Sequence, residues 1–165
     1  MKALFVDFDG TLCDSSHARE FLPPPGEAWS RMRADSDAWT PWYDALRENC
    51  GVPIPAGIAR AVALAKETDG AVVVLTSRSE LIATETRKWL YEHARELVYP
   101  GDARMGAHFS FRQHSDVRSS VVSKIARLTA FLCNTPGITS FEVLDDDYKM
   151  EVVEKLGGTF HRWEE

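Results

Sequence analysis

With 165 residues and 44% hydrophobic content, the chain can bury one sizeable core but is short for two full domains. Its formal charge of −6 carries no block of like charges, so nothing announces a broad nucleic-acid-binding or membrane-facing basic surface, and any anionic ligand has to be held locally. Met1-Lys2 runs directly into an apolar stretch, which fits neither a signal peptide nor a spanning helix; a soluble, cytoplasmic protein with no membrane partner is expected.

In chain order, Lys2 to Phe8 is an apolar run ending in acids and Gly10, which predicts a buried strand that delivers Asp7 at its carboxyl end. Asp14 to Glu20 is expected to be helical, Pro23-Pro24-Pro25-Gly26 stops it, and Glu27 to Asn49 resumes with Trp29, Met32, Trp39, Trp42, Tyr43 and Leu46 as a small helical insert. Ala56 to Thr68 repeats Ile58, Val62 and Leu64-Ala65 at helical spacing until Asp69-Gly70. Ala71 to Leu75 is continuously apolar, as a strand covered on both faces must be, and ends in Thr76-Ser77-Arg78-Ser79.

Glu80 to Ala94 reads as a helix with Ser79 as its cap. Tyr99 to Ala107 has no pattern, and His108 to Arg112 predicts a short strand with Phe109 and Phe111 on one face. A helix follows from Asp116 to Cys133, then a strand from Phe141 to Leu144 ending in Asp145-Asp146-Asp147, a last helix from Glu151 to Leu156 and an edge strand from Thr159 to Trp163. Strands alternating with helices imply an α/β, doubly wound (Rossmann-like), mainly parallel sheet with helices on both faces, a single domain over 1–165 with a small helical cap at about 15–52 inserted after the first strand. Cys13, Cys50 and Cys133 are odd in number and far apart in the chain, so they are read as reduced and structural.

The chemistry-bearing residues converge on one rim of that sheet. Asp7, Asp9, Thr76, Arg78, Asp145 and Asp146 all fall at strand carboxyl ends, where such sheets bind ligands, and Lys124 arrives from the preceding helix. Clustered carboxylates repel unless a cation neutralises them, and an all-oxygen donor set suits Mg2+. Magnesium takes one or two carboxylates plus a substrate phosphate, which leaves an aspartate oxygen free to attack. Thr76 can hydrogen-bond a phosphoryl oxygen, Lys124 and Arg78 can offset charge developing at phosphorus, and Gly10 permits a tight turn that presents backbone N–H groups to the phosphate.

With these residues in place, the chain resembles the haloacid dehalogenase (HAD) superfamily of aspartate-nucleophile phosphatases over almost its whole length. The superfamily's D-x-D-G-T stands as Asp7-Phe8-Asp9-Gly10-Thr11, its apolar strand ending in Thr or Ser as Val72 to Thr76, its lysine as Lys124 and its acidic pair as Asp145-Asp146. The resemblance implies that Asp7 attacks phosphorus to give an aspartyl-phosphate. Asp9 then protonates the leaving alcohol and activates water, so its pKa is expected above that of Asp7. It also implies a metal held by the Asp7 side chain, the Asp9 carbonyl and the Asp145-Asp146 pair, with Asp146 preferred as the direct ligand.

A narrower resemblance is to the 3'-phosphatase domain of phage-type polynucleotide kinases. It rests on Asp14-Ser15-Ser16-His17, on Thr76-Ser77-Arg78, on Thr86-Arg87-Lys88-Trp89-Leu90, and on Arg112, Asp116 and Arg118 preceding Lys124. It implies that Gly10, Thr11, Ser77, Arg78, Arg112, Asp116 and Arg118 bind or brace the phosphate, and that a phosphorylated nucleotide or a nucleic-acid 3' end is the substrate. Ala18 replaces an expected Arg, Ser77 a Gly and Asp147 another Arg. No G-x-x-x-x-G-K-[ST] loop occurs in these residues, so the kinase half is missing from them, and a separate kinase or ligase stays open as a partner.

Blander readings stand beside these. Asp116 serves equally as a helix cap, and Trp29, Trp39, Trp42 and Tyr43 are read as the core of the cap before they are read as a base-stacking surface. A 5'(3')-mononucleotide phosphatase, favoured by the acidic charge, and a non-catalytic phosphate-binding regulator are the competing functions.

Overall fold

The computed structural model of the chain describes residues 1–23, 36–69, 71–99, 107–116 and 118–164. The 24–35 part of the expected cap insert and most of the unpatterned stretch, 100–106, lie outside them. The elements are β1 (Lys2–Val6), β2 (Cys13–Asp14), α1 (Ser36–Glu48), β3 (Val52–Pro53), α2 (Pro55–Lys66), β4 (Val72–Ser79), α3 (Ala83–His93), α4 (Arg95–Val98), β5 (His108–Arg112), α5 (Ser120–Asn134), β6 (Ser140–Asp145) and β7 (Thr159–Arg162). Three 3-10 segments, Ser16–Phe21, Glu80–Ile82 and Tyr148–Leu156, stand where regular helix was expected over Asp14–Glu20, Glu80–Ile82 and Glu151–Leu156.

β1 lies in the middle of a five-stranded parallel sheet of order β5-β4-β1-β6-β7, so its register is locked from both sides: Phe5 pairs with Val73 and with Val143. Because both faces are covered, alternate residues enter different cores. Leu4, Val6, Val72 and Val74 pack with Leu64, Trp89, Leu90 and Leu97 on one face. Ala3, Phe5, Val73 and Leu75 pack with Leu128, Val143, Met150 and Val153 on the other. The chain builds outward from β1 through β4 to β5, and α5 then carries it back to β6 on the opposite side of β1. The strand order therefore reverses beside β1, the position at which open α/β sheets hold ligands.

Two local features aim the loops there. The pairing of β4 with β5 slips between Leu75 and Ser79, a bulge that turns the Thr76–Arg78 segment toward the rim. Gly57 lets α2 lie on the loop after β1, since a β-carbon there would stand 1.8 Å from the Thr11 carbonyl oxygen. Above the rim, Ala18 from the first 3-10 segment and Trp39, Tyr43 and Leu46 from α1 close a third, small core onto Ile82. The antiparallel pair β2–β3 had no sequence signal, because two-residue strands carry no periodicity. Among the described residues no helix is long and apolar enough to cross a membrane.

Candidate active site

Asp7 follows β1 directly and is tied to the neighbouring strand by its backbone N–H, which donates to the Leu144 carbonyl at 2.8 Å. Lys124, in the second turn of α5 and only 3% exposed, reaches Asp7 Oδ1 and Asp145 Oδ2 at 2.8 Å each. Burial alone would lower the Lys124 pKa, but the two carboxylates outweigh it and hold the ammonium charged. Both Asp145 oxygens are hydrogen-bonded in this arrangement, the second accepting the Asp147 N–H at 2.9 Å.

Asp146 is different. Its carboxyl lies within hydrogen-bonding reach of the Asp7 carboxyl, and oxygens of Asp7, Asp145 and Asp146 all fall within 4.8 Å of one another. Burial and the Asp145 charge push Asp7 above the usual carboxylate range despite Lys124, while burial and the Asp7 charge push Asp146 up to about 6. Three acids sharing one lysine are one cation short. The donor set is all oxygen, and Gly10 keeps the space beside it open, since a β-carbon at Gly10 would stand 2.2 Å from Asp146 Oδ2. The residues fit a hard divalent ion such as Mg2+.

Asp9 is held by a separate cation. The Arg78 side chain, 1% exposed, donates Nε to both Asp9 oxygens at 3.1 and 3.0 Å and Nη2 to Oδ1 at 2.7 Å. Its remaining N–H groups go to the Cys50 sulfur and carbonyl at 2.8 Å each and to Thr86 Oγ1 at 3.3 Å, and the guanidinium lies over the Phe8 ring. Ser15 adds an O–H bond to Asp9 Oδ1 at 2.7 Å. Burial raises Asp9, but the charge and hydrogen bonds of Arg78, with Ser15, more than reverse it and hold the carboxyl below its usual range. The chain's own charges therefore hold Asp9 below Asp7, the reverse of the order expected with a metal beside Asp7. The reason is that Asp9 owns an arginine, whereas Asp7 shares a lysine.

The other candidates divide by position. Gly10 has φ +83° and makes the tight turn, yet its own N–H donates to the Cys13 carbonyl at 2.9 Å and is not offered outward. Thr11 is fully buried. Thr76 is also buried, its hydroxyl oxygen accepting the Arg78 backbone N–H at 3.1 Å while Arg127 donates to its carbonyl at 2.8 Å. Ser77 touches Ser120 at the start of α5. Arg118 grips Asp116 through Nε and Nη2 at 2.8 Å each, Ser123 donates to Asp116 at 2.6 Å, and Arg112 donates Nε to the Asp116 carbonyl at 2.9 Å. The Arg118 bond holds the Asp116 carboxyl well below the usual range.

A cavity of about 520 Å³ opens above these residues. Asp9, Gly10, Ser77, Arg78, Arg112 and Asp146 line it, whereas Asp7, Thr76, Lys124 and Asp145 are buried and do not. Cys50 and Arg127 had not been anticipated, because each acts through a partner remote in sequence; Ser15 and Thr86 stand in segments that carry the narrower resemblance, but no role was expected of them. Cys13 and Cys50, distant in the chain, are neighbours here, the Cys13 thiol donating to the Cys50 carbonyl at 3.4 Å.

No protein-family model matches the chain, and no curated protein matches it in sequence. Solved structures do. A chain of a Pnkp1/Rnl/Hen1 complex matches 98% of this chain with a TM-score of 0.58 at 16% identity; this chain spans 45% of that one's length. The L-2-haloacid dehalogenase of Xanthobacter autotrophicus matches 98% of this chain with a TM-score of 0.51 at 16% identity, and 77% of its own length is covered. The chain has the fold of the haloacid dehalogenases.

Proposed function

We propose that the protein is a Mg2+-dependent phosphomonoester hydrolase that works through an aspartyl-phosphate on Asp7, with a nucleic-acid 3' end or a nucleotide as its substrate class. The observation that carries this is the shared lysine: Lys124 holds Asp7 and Asp145 by 2.8 Å bonds while Asp146 adds a third carboxylate with no cation of its own among the described residues. Asp7, Asp145 and Asp146 would hold the metal; bound there, it supplies the missing positive charge and draws a phosphate to the site. Asp146 is the better direct ligand, because both Asp145 oxygens are already hydrogen-bonded.

An Asp7 carboxylate oxygen attacks phosphorus, the bond from phosphorus to the ester oxygen breaks, and Asp9 gives its proton to the departing alkoxide. Asp9 then takes a proton from water, which attacks phosphorus, breaks its bond to Asp7 and releases inorganic phosphate. An arriving phosphate raises the Asp9 pKa by its negative charge, which readies Asp9 as the acid. Lys124 stabilises charge at phosphorus. The Thr76 hydroxyl, which accepts only at its oxygen, keeps its proton to donate to a phosphoryl oxygen. With all its N–H groups engaged, Arg78 serves to position Asp9, and Arg112, buried at the cavity wall, keeps Nη2 as a donor to spare.

The nucleic-acid end is supported by the Thr76-Ser77-Arg78 and Thr86 to Leu90 segments and by the likeness to the Pnkp1/Rnl/Hen1 chain. A dehalogenase is the weaker reading, because Asp9 is present and engaged. The test is phosphate release with Mg2+ from a 3'-phosphorylated oligonucleotide, from 3' and 5' mononucleotides and from sugar phosphates. Release is expected from at least one, and Asp7→Asn with wild-type activity would sink the nucleophile assignment.

A further inference from the structure

The cavity has two unlike walls, and only one is explained by phosphate chemistry. The cap side carries Trp39, Trp42 and Tyr43. Trp39 and Tyr43 are buried in the cap core, while Trp42 is only half-buried and packs beside Tyr43 with ring centres 5.3 Å apart. Tyr43 in turn meets His114, from the loop after β5, at 6.3 Å. The aromatic wall therefore continues from the cap onto the sheet side, around the mouth of the cavity.

Beside it stand buried polar atoms without a partner among the described residues: Arg112 Nη2, His114 Nδ1 and Trp163 Nε1, all from residues that line the cavity. Arg112 is 4% exposed. Burying a polar atom unpaired is costly, so such atoms mark where a ligand's polar groups can be met. A sugar alone would leave hydroxyls against indole and phenol rings, and an aliphatic group would leave these polar atoms unmet. A flat ring with donors and acceptors around its edge answers both walls, and the volume of about 520 Å³ lies within the span of small-molecule sites.

We propose that the cap side of this cavity is a nucleobase subsite, in which Trp42, backed by Tyr43, supplies the stacking face and His114 a polar edge contact for the nucleotide whose phosphate lies over Asp7. The assignment builds on the phosphatase reading and narrows it: the leaving alcohol belongs to a nucleoside, in a free nucleotide or at the end of a strand. Stacking of a base on an aromatic side chain is worth roughly 10-fold in affinity, which sets the size of the effect.

The experiment compares kcat/KM for thymidine 3'- and 5'-monophosphates, a 3'-phosphorylated oligonucleotide and ribose 5-phosphate in wild type, Trp42→Leu and His114→Ala. Base-bearing substrates are expected to exceed ribose phosphate at least 10-fold, and that ratio is expected to fall roughly 10-fold in Trp42→Leu and less in His114→Ala. The mononucleotide and oligonucleotide arms identify the source of the base. A wild type with no preference for base-bearing substrates, or variants that lose both classes equally while their melting curves stay intact, overturns the subsite. If no substrate releases phosphate, the hydrolase reading fails, and saturation-transfer NMR decides the subsite separately. Binding of thymidine but not ribose, weakened about 10-fold in Trp42→Leu, upholds it; equal binding by both proteins overturns it.

Discussion

Beneath the sheet side of the cavity, Asp7, Lys124 and Asp145 are almost fully buried, and Lys124 pairs with both carboxylates. On the cap side, Trp39, Trp42 and Tyr43 pack on one another around Leu46 and Ile82 with hardly a charge among them. The first wall is held by electrostatics in a low-dielectric setting, where one group removed leaves another stranded. The second is held by apolar burial, which is forgiving in direction but sensitive to volume. The proposed chemistry and the proposed discrimination thus rest on parts of the molecule with different physics, and the two should fail differently.

The sharpest break is Asp7→Asn, which keeps the shape of the sheet side but removes the attacking oxygen; phosphate release should fall by roughly 10⁴-fold or more, measured in single turnover. Lys124→Met leaves two buried carboxylates without their cation and should cost about 3–5 kcal/mol in urea unfolding. A smaller cost would mean that the floor is not held by charge. Trp39→Ala tests the other wall and should cost about 3 kcal/mol through the cavity it leaves.

Magnesium addition should raise the unfolding free energy by about 2.7 kcal/mol at a hundredfold excess over Kd, and removal by a chelator should reverse it. Asp146→Asn should abolish the shift, and a shift that survives would move the site elsewhere. The smallest expected effect is at the periphery, where Asp116→Asn breaks the bond to Arg118 and should cost about 1 kcal/mol at neutral pH. The folded pKa of Asp116 is depressed, so its contribution is fully present above its unfolded value of about 3.9 and is lost as the pH falls through the lower folded value; the gap between wild type and variant should close in acid.

Much of the sheet side was legible beforehand because its signals are local. A strand covered on both faces must be continuously apolar, so the expected runs Lys2–Phe8, Ala71–Leu75 and Phe141–Leu144 are found as strands Lys2–Val6, Val72–Ser79 and Ser140–Asp145, shifted only at their ends. His108–Arg112 was legible with its boundaries intact. The 3-10 geometry of Tyr148–Leu156 was not, since apolar spacing does not separate one helix type from another. The two-residue strands Cys13–Asp14 and Val52–Pro53 are too short to carry a period, yet they bring Cys50 to Arg78.

The sequence by itself determined the fold class and the set of groups at the rim, because strand burial and strand-end polarity are written in residues that are neighbours in the chain. Only the tertiary structure decided which cation each acid receives. Arg78 stands 69 residues from Asp9 and Lys124 stands 21 from Asp145, and whether either pair meets depends on strand order, on the slip in β4 and on where α5 crosses the sheet. The order in which Asp7 and Asp9 ionise follows from those meetings. It is a property of packing, and no spacing of residues encodes it.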